Sequence, residues 1–180
     1  PREWDNLGTM AGKANLRAIT QSIEEAFKEI TGKDSDYIGF KSLIPKMKEL
    51  AVVVPLYLFS HSGQIIQTHP FSCPWDSGQI GIIYCTFEDI KKEYGTDSEE
   101  QKEKVKEYLE EEVKTYNQYL QGEVYTITVV EKDWTGKEEN HRSCCGFYGT
   151  DWKNNGILEE LPEGMESQVL EDLKLYMNWK

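Results

Sequence analysis

Three observations in the sequence predict an α+β fold. Apolar side chains recur at helical spacing in the segments 14–31, 97–121 and 164–179. Uncharged runs rich in β-branched and aromatic residues occupy 51–60, 78–86 and 124–130. The strand-like segments also come in neighbouring pairs separated by short turns, the pattern of antiparallel hairpins rather than of parallel crossovers. The expected architecture is a single domain over 1–180. It has a mainly antiparallel sheet of about five strands, flanking helices, and one long acidic helix near 97–121. Residues 1–50 are read as a helical N-terminal part packed on an α+β body, 51–180. A chain of 180 residues is long enough to bury such a core.

In chain order, Pro1–Gly12 has no helical period and reads as an ordered loop or a short edge strand. Residues 14–31 place Leu16, Ile19, Ile23, Phe27 and Ile30 on one stripe, and Gly32 is a suitable stop. Residues 33–41 form a connector. Ser42 is placed to cap a short helix carrying Leu43, Met47 and Leu50, with Pro45 in its first turn. Ala51–Ser60 (AVVVPLYLFS) reads as a buried strand, in which Pro55 argues for an edge or a bulge. His61-Ser62-Gly63 turns the chain into Gln64–Thr68. His69–Ser77 is irregular, and Gly78–Thr86 is the next strand. Thr86 precedes a short helix that runs through Tyr94 and stops at Gly95. Thr96-Asp97-Ser98-Glu99 matches a capping box for the acidic helix. Its apolar stripe is Val105, Tyr108, Leu109, Val113, Tyr116 and Leu120. Glu123–Trp134 and His141–Gly149 then pair as a hairpin. The last helix puts Val169, Leu173, Tyr176 and Met177 on one face.

Charge is distributed unevenly. The net charge is −12, yet residues 1–50 hold eight acids and eight bases, leaving 24 acids against 12 bases in the rest. Between Asp97 and Lys114 there are eight acids and four lysines. A surface of one sign repels nucleic acid and attracts basic protein grooves. Aromatic content of 12% sets the chain apart from disordered acidic tails. The longest apolar run, Ala51–Phe59, is too short to cross a bilayer, and no secretory leader opens the sequence. The four cysteines, Cys73, Cys85, Cys144 and Cys145, have no C-x-x-C spacing, so free thiols in a reducing cytoplasm are expected.

Three constellations carry chemistry. On the acidic helix, Glu99, Glu103, Glu107, Glu110 and Glu111 are the candidate partner-binding residues. Carboxylates spaced along a rod imitate the phosphates of DNA, whereas Glu100/Lys104 and Glu110/Lys114 at i,i+4 fit a merely solvated face. In Pro70–Gly81 (PFSCPWDSGQIG), Trp75 and Asp76 are candidate partner contacts; the other reading makes Trp75 a core plug. His61, Phe71, Trp75 and Gln79 would line a pocket if the protein bound a small ligand. An anionic ligand there would need Arg142 and Lys132 to converge. His61, His69 and His141 lie at no recognised metal-ligand spacing with the cysteines. Cys85 reads as inert core, and Cys73 near His69 is the thiol with nucleophile potential. No phosphate-binding loop, dinucleotide fingerprint, nucleophile elbow or H-E-x-x-H occurs. No catalytic residue, metal or cofactor is expected.

The blocks PREWDNLGTM (1–10), PLYLFSHSG (55–63), PFSCPWDSGQIGIIY (70–84), YLQGEVY (119–125) and CGFYG (145–149) resemble a family of poorly characterised proteins of bacteriophages, plasmids and other mobile elements. Family members carry a Cys/His/Arg-containing stretch after the GTM segment, where this chain has Ala11-Gly12-Lys13-Ala14-Asn15. The resemblance implies an anti-defence setting, of the anti-CRISPR or antirestriction type. Combined with the acidic surface, it leads to the expectation of a non-catalytic inhibitor in the host cytoplasm. The inhibitor would bind a host defence protein with a basic groove, most plausibly a CRISPR effector, with no direct contact to nucleic acid or membrane. A small-ligand or nucleotide-sequestering protein, and a Cys/His hydrolase, are the alternatives. The C-terminal stripe, with Trp179 at its end, is expected to pack either on the body or on a second copy, the latter making a homodimer.

Overall fold

The computed structural model describes residues 6–14, 16–35 and 40–177, without the side chains of residues 40–41 and 175–177. The readings that involve residues 1–5, Asn15, the connector at 36–39, the side chains of Tyr176 and Met177, and Trp179 lie outside the described residues. The fold is α+β, as expected. By contacts the chain forms two compact units, Pro1–Gln121 and Gly122–Lys180. The composition shift near residue 50 falls inside the first.

The first unit contains β1 (Thr9–Gly12), β2 (Ile19–Gln21), α1 (Ile23–Thr31), α2 (Phe40–Met47), β3 (Ala51–Ser60), β4 (Gln64–Gln67), β5 (Ser77–Thr86), α3 (Phe87–Tyr94) and α4 (Glu99–Leu120). Its sheet has the order β2-β1-β5-β3-β4. All neighbours are antiparallel except β1 and β2. Alternation along β3 and β5 divides the core into two clusters. Val54, Leu56, Ile83 and Cys85 pack with Val105, Leu109, Val113 and Tyr116 of α4 and Ile90 of α3. Val53, Ile82 and Tyr84 pack with Ile23, Phe27 and Ile30 of α1 and Leu43 and Met47 of α2. Helices thus cover both faces of the sheet, which is why Ile82–Cys85 is an unbroken apolar run instead of an alternating one.

β1 and β5 approach so closely that two glycines are required. Gly12 and Gly81 are register partners. A Cβ on Gly12 would lie 2.5 Å from the Ile80 carbonyl oxygen, and one on Gly81 would collide with the Ala11 carbonyl oxygen. Pro55 sits where β3 has a partner on one side only. β4 covers just Tyr57–Ser60, and the register shift between Leu56 and Tyr57 follows immediately. Both the edge and the bulge expected from this proline are present.

Four local expectations are corrected. The helix expected over 14–31 starts only at Ile23. Ser22 caps it, with Glu25 completing a capping box, and Ile19 belongs to β2, paired with Met10. Leu16 and Ile23 enter different clusters on opposite faces of the sheet, so they never shared a stripe. α2 begins at Phe40, which leaves Pro45 inside it and not in the first turn. α4 is capped by Ser98, whose Oγ accepts from the Gln101 N–H; Thr96 Oγ accepts from Ser98 N–H instead. Tyr108 is half exposed and stands outside the buried stripe.

The second unit contains β6 (Val124–Lys132), β7 (Glu138–Tyr148), a 3-10 turn Ile157–Glu160 and α5 (Glu166–Met177). The expected hairpin forms, but as a separate two-stranded sheet. Asp133 closes its turn, its Oδ1 accepting from the N–H groups of Thr135 and Lys137 at 2.8 and 3.0 Å. Gly146, at φ 98°, occupies the bulge between the Tyr125–Phe147 and Thr126–Cys145 pairs. Tyr125 packs edge-on against buried Trp152, with ring centroids 4.6 Å apart.

Candidate functional site

The outer face of α4 follows from its inner one. Val105, Leu109, Val113 and Tyr116 face the core, so the positions between them face solvent. Glu99, Glu103, Glu107, Glu110 and Glu111 are all exposed, as are Asp97 and Glu100. The helix also supplies its own counter-ions. Lys102 pairs with Glu99, Lys104 with Glu100 and Lys106 with Glu103, each at 2.8 Å; Lys114 pairs with Glu111 at 3.1 Å. The Lys104 hydrogen bond and charge hold the Glu100 carboxyl below its usual range. Among the described residues, Glu107 and Glu110 have no ion-pair partner. The i,i+4 pair expected between Glu110 and Lys114 is replaced by Glu111–Lys114 at i,i+3. Seven exposed acids against four lysines still leave an acidic face, although a weaker one than the sequence count implies.

Glu112 is the eighth acid and it turns inward. Its carboxylate accepts from the backbone N–H of Leu7 at 2.8 Å and of Gly8 at 3.2 Å, tying the N-terminal segment to α4. Burial raises its pKa, and the two backbone donors offset this only in part. Beside it, a Cβ on Gly8 would lie 2.5 Å from Leu109 Cδ2, so this contact needs glycine. Sequence reasoning missed this role. The only signal was one acid more inward than its neighbours on the helical wheel.

The loop before β5 holds the second group. Phe71 packs on Phe59 with centroids 5.6 Å apart, and His61 Nδ1 lies 3.4 Å from Asp76 Oδ2. The Ser60 N–H donates to the Asp76 carbonyl at 2.9 Å, and Ser77 Oγ donates to the Cys73 carbonyl. These contacts fix the loop while leaving Trp75 91% exposed, which removes the core-plug reading. His61, Phe71 and Asp76 are brought together. Gln79, paired with Tyr57 inside the sheet, donates to the Gly81 carbonyl at 3.4 Å.

Cys73 Sγ lies 4.0 Å from the same Asp76 oxygen region that receives His61. A reactive thiol wants a cationic neighbour, and this neighbour is a carboxylate. His69 contacts Gln67. Cys85 is buried, its thiol pushed up to about 12, chiefly by desolvation, so it stays protonated at neutral pH. Cys144 is half-buried and Cys145 exposed, on opposite faces of β7. No cluster of three His, Cys, Asp or Glu groups able to hold a metal occurs among the described residues. Lys132 pairs with Glu138 at 3.9 Å, and Arg142 donates to the Glu160 carbonyl at 3.0 Å, so the two cations are engaged separately. A groove of about 440 Å³ lies between α1 and α2, lined by Phe27, Leu43, Leu50, Lys33 and Lys46 among others. None of His61, Phe71, Trp75 or Gln79 lines it.

The start of α4 and the Trp75 loop lie at opposite ends of β5. Lys102 sits 4.0 Å over the Phe87 ring, fixing the start of α4 beside the end of β5, while Trp75 precedes the start of β5. Ten residues of strand separate these ends by about 30 Å. The last turns of α4 reach β4, where Asn117 Oδ1 accepts from the Ile66 N–H at 3.0 Å. No helix among the described residues is long and apolar enough to cross a membrane. Comparison with family models, with curated proteins and with solved structures finds no match for this chain.

Proposed function

We propose that this protein is a non-catalytic inhibitor that docks the acidic outer face of α4 into the basic groove of a host defence nuclease of the CRISPR effector type. One observation carries this reading: an exposed row of carboxylates on a helix whose opposite side is locked into a rigid core. Glu107 and Glu110 are its free charges. Glu99, Glu103 and Glu111 exchange a helix lysine for an arginine or lysine of the target; the displaced Lys106 and Lys114 remain solvated, and Lys102 keeps its place over the Phe87 ring. Exposed intrahelical pairs are weak, so this exchange is inexpensive. Trp75, exposed on the loop before β5, supplies a second, apolar anchor. The resemblance to proteins of mobile elements supplies the biological setting.

The test is a cleavage assay of RNA-guided nucleases with this protein added, over a series of salt concentrations. Inhibition that weakens with salt, and that disappears when Glu103, Glu107, Glu110 and Glu111 are reversed to lysine, supports the proposal. Inhibition untouched by the reversal removes its electrostatic part. Such an outcome would shift weight to the Trp75 loop.

A further inference from the structure

We infer that Tyr108 makes the α4 face selective for arginine over lysine: a guanidinium of the basic partner stacks on its exposed ring while neighbouring glutamates accept its N–H groups. The inference rests on the reading of α4 as a docking face and adds which cation that face takes. Val105, Leu109, Val113 and Tyr116 are buried, and Tyr119 and Leu120 are half-buried. Tyr108 is the large apolar side chain of α4 that stays exposed, at 50%. A ring left in water contributes little to the core. Among the described residues it has no stacked ring, no cation over its face and no hydrogen bond to its hydroxyl. The cations of the helix are engaged elsewhere. Lys102 lies over the Phe87 ring, and Lys104, one turn before Tyr108, is held by Glu100 at 2.8 Å.

The surroundings supply the acceptors. Glu111 follows Tyr108 at i+3, and helical side chains lean toward the preceding turn, which carries its carboxylate toward the ring. Glu107, with no ion-pair partner among the described residues, precedes it. α3 widens the aromatic surface. Its Ile90 packs in the same cluster as Val105 and Leu109, and this brings Tyr94, 39% exposed, near enough to Tyr108 to feel its charge. The result is a flat π surface bordered by carboxylates. A guanidinium matches both parts, because it is planar, weakly hydrated and donates in its own plane while its face stacks. A lysine ammonium is a hydrated point charge and uses chiefly the carboxylates. The net charge of −12 selects a cationic partner, and the ring discriminates within that class.

The test measures binding of two peptides of equal length and charge, one arginine-rich and one lysine-rich, to the full chain at low salt by fluorescence anisotropy. The arginine peptide is expected to bind about two- to fivefold tighter. Tyr108→Phe keeps that ratio because a ring remains, and Tyr108→Leu brings it close to one, both with unchanged circular dichroism spectra. A ratio that survives in Tyr108→Leu overturns the inference. So does a wild type that binds the two peptides equally or binds neither, and that comparison needs no variant to fold. Equal binding of both peptides that is weakened by Glu107→Lys/Glu110→Lys overturns arginine selection while supporting docking through charge, so the two readings fail separately.

Discussion

Glu112 shows how one carboxylate does a different job from its neighbours. It accepts from the Leu7 and Gly8 N–H groups in a half-buried position, and burial holds its pKa above the ordinary 4.5. A folded-state value above the unfolded one favours folding of the protonated form. That contribution is complete below about pH 4.5 and is lost as pH rises through the folded value. Glu112→Gln keeps an acceptor for the N–H groups and removes the titration. Urea unfolding at several pH values should show this variant with a flatter profile on the acid side. Glu112→Ala orphans both N–H groups and is expected to lose about 1–3 kcal/mol at neutral pH. Gly81→Ala forces a Cβ onto the Ala11 carbonyl and should lose at least about 1–3 kcal/mol in the same measurement. Trp75→Ala, by contrast, removes an exposed ring and should leave the unfolding midpoint unchanged while weakening capture of the target.

Helices and strands differ in how far the sequence revealed them. α4 was legible because Val105, Leu109 and Val113 recur over many turns, and β3 and β5 because burial on both faces left unbroken apolar runs. β2 was not legible. Three residues cannot display a period of two, and Ile19 fell by chance at helical spacing from Leu16 and Ile23. The separate β6–β7 sheet was hidden for another reason: alternation identifies a half-buried strand but does not name its partners. For the candidate site, side-chain type and exposure of the α4 acids were readable, whereas the choice between i,i+3 and i,i+4 lysines was set by rotamers. Trp75 showed its residue type but not its exposure, which depends on the loop being tied down by Ser60, Phe59 and His61. The corrected cap gives a direct check on α4. Ser98→Ala should reduce stability by about 1 kcal/mol, and Thr96→Ala by clearly less, in thermal or urea unfolding.

Taken as a molecule, the protein is an acidic surface held by a core that does not depend on it. The charges of α4 stand on a helix whose buried side joins β3, β4 and β5, so reversing them is expected to leave the fold intact. Because intrahelical lysines already offset part of the charge, the salt sensitivity of binding should follow Glu107 and Glu110 more than Glu99, Glu103 or Glu111. The decisive measurement is inhibition of an RNA-guided nuclease by the wild-type chain and by Glu107→Lys/Glu110→Lys, at low and at physiological salt. The expected result is potent inhibition by the wild type, weaker at higher salt, and a loss of at least tenfold in the variant with its unfolding midpoint retained. Equal inhibition by both chains at both salt concentrations would contradict recognition through this helix.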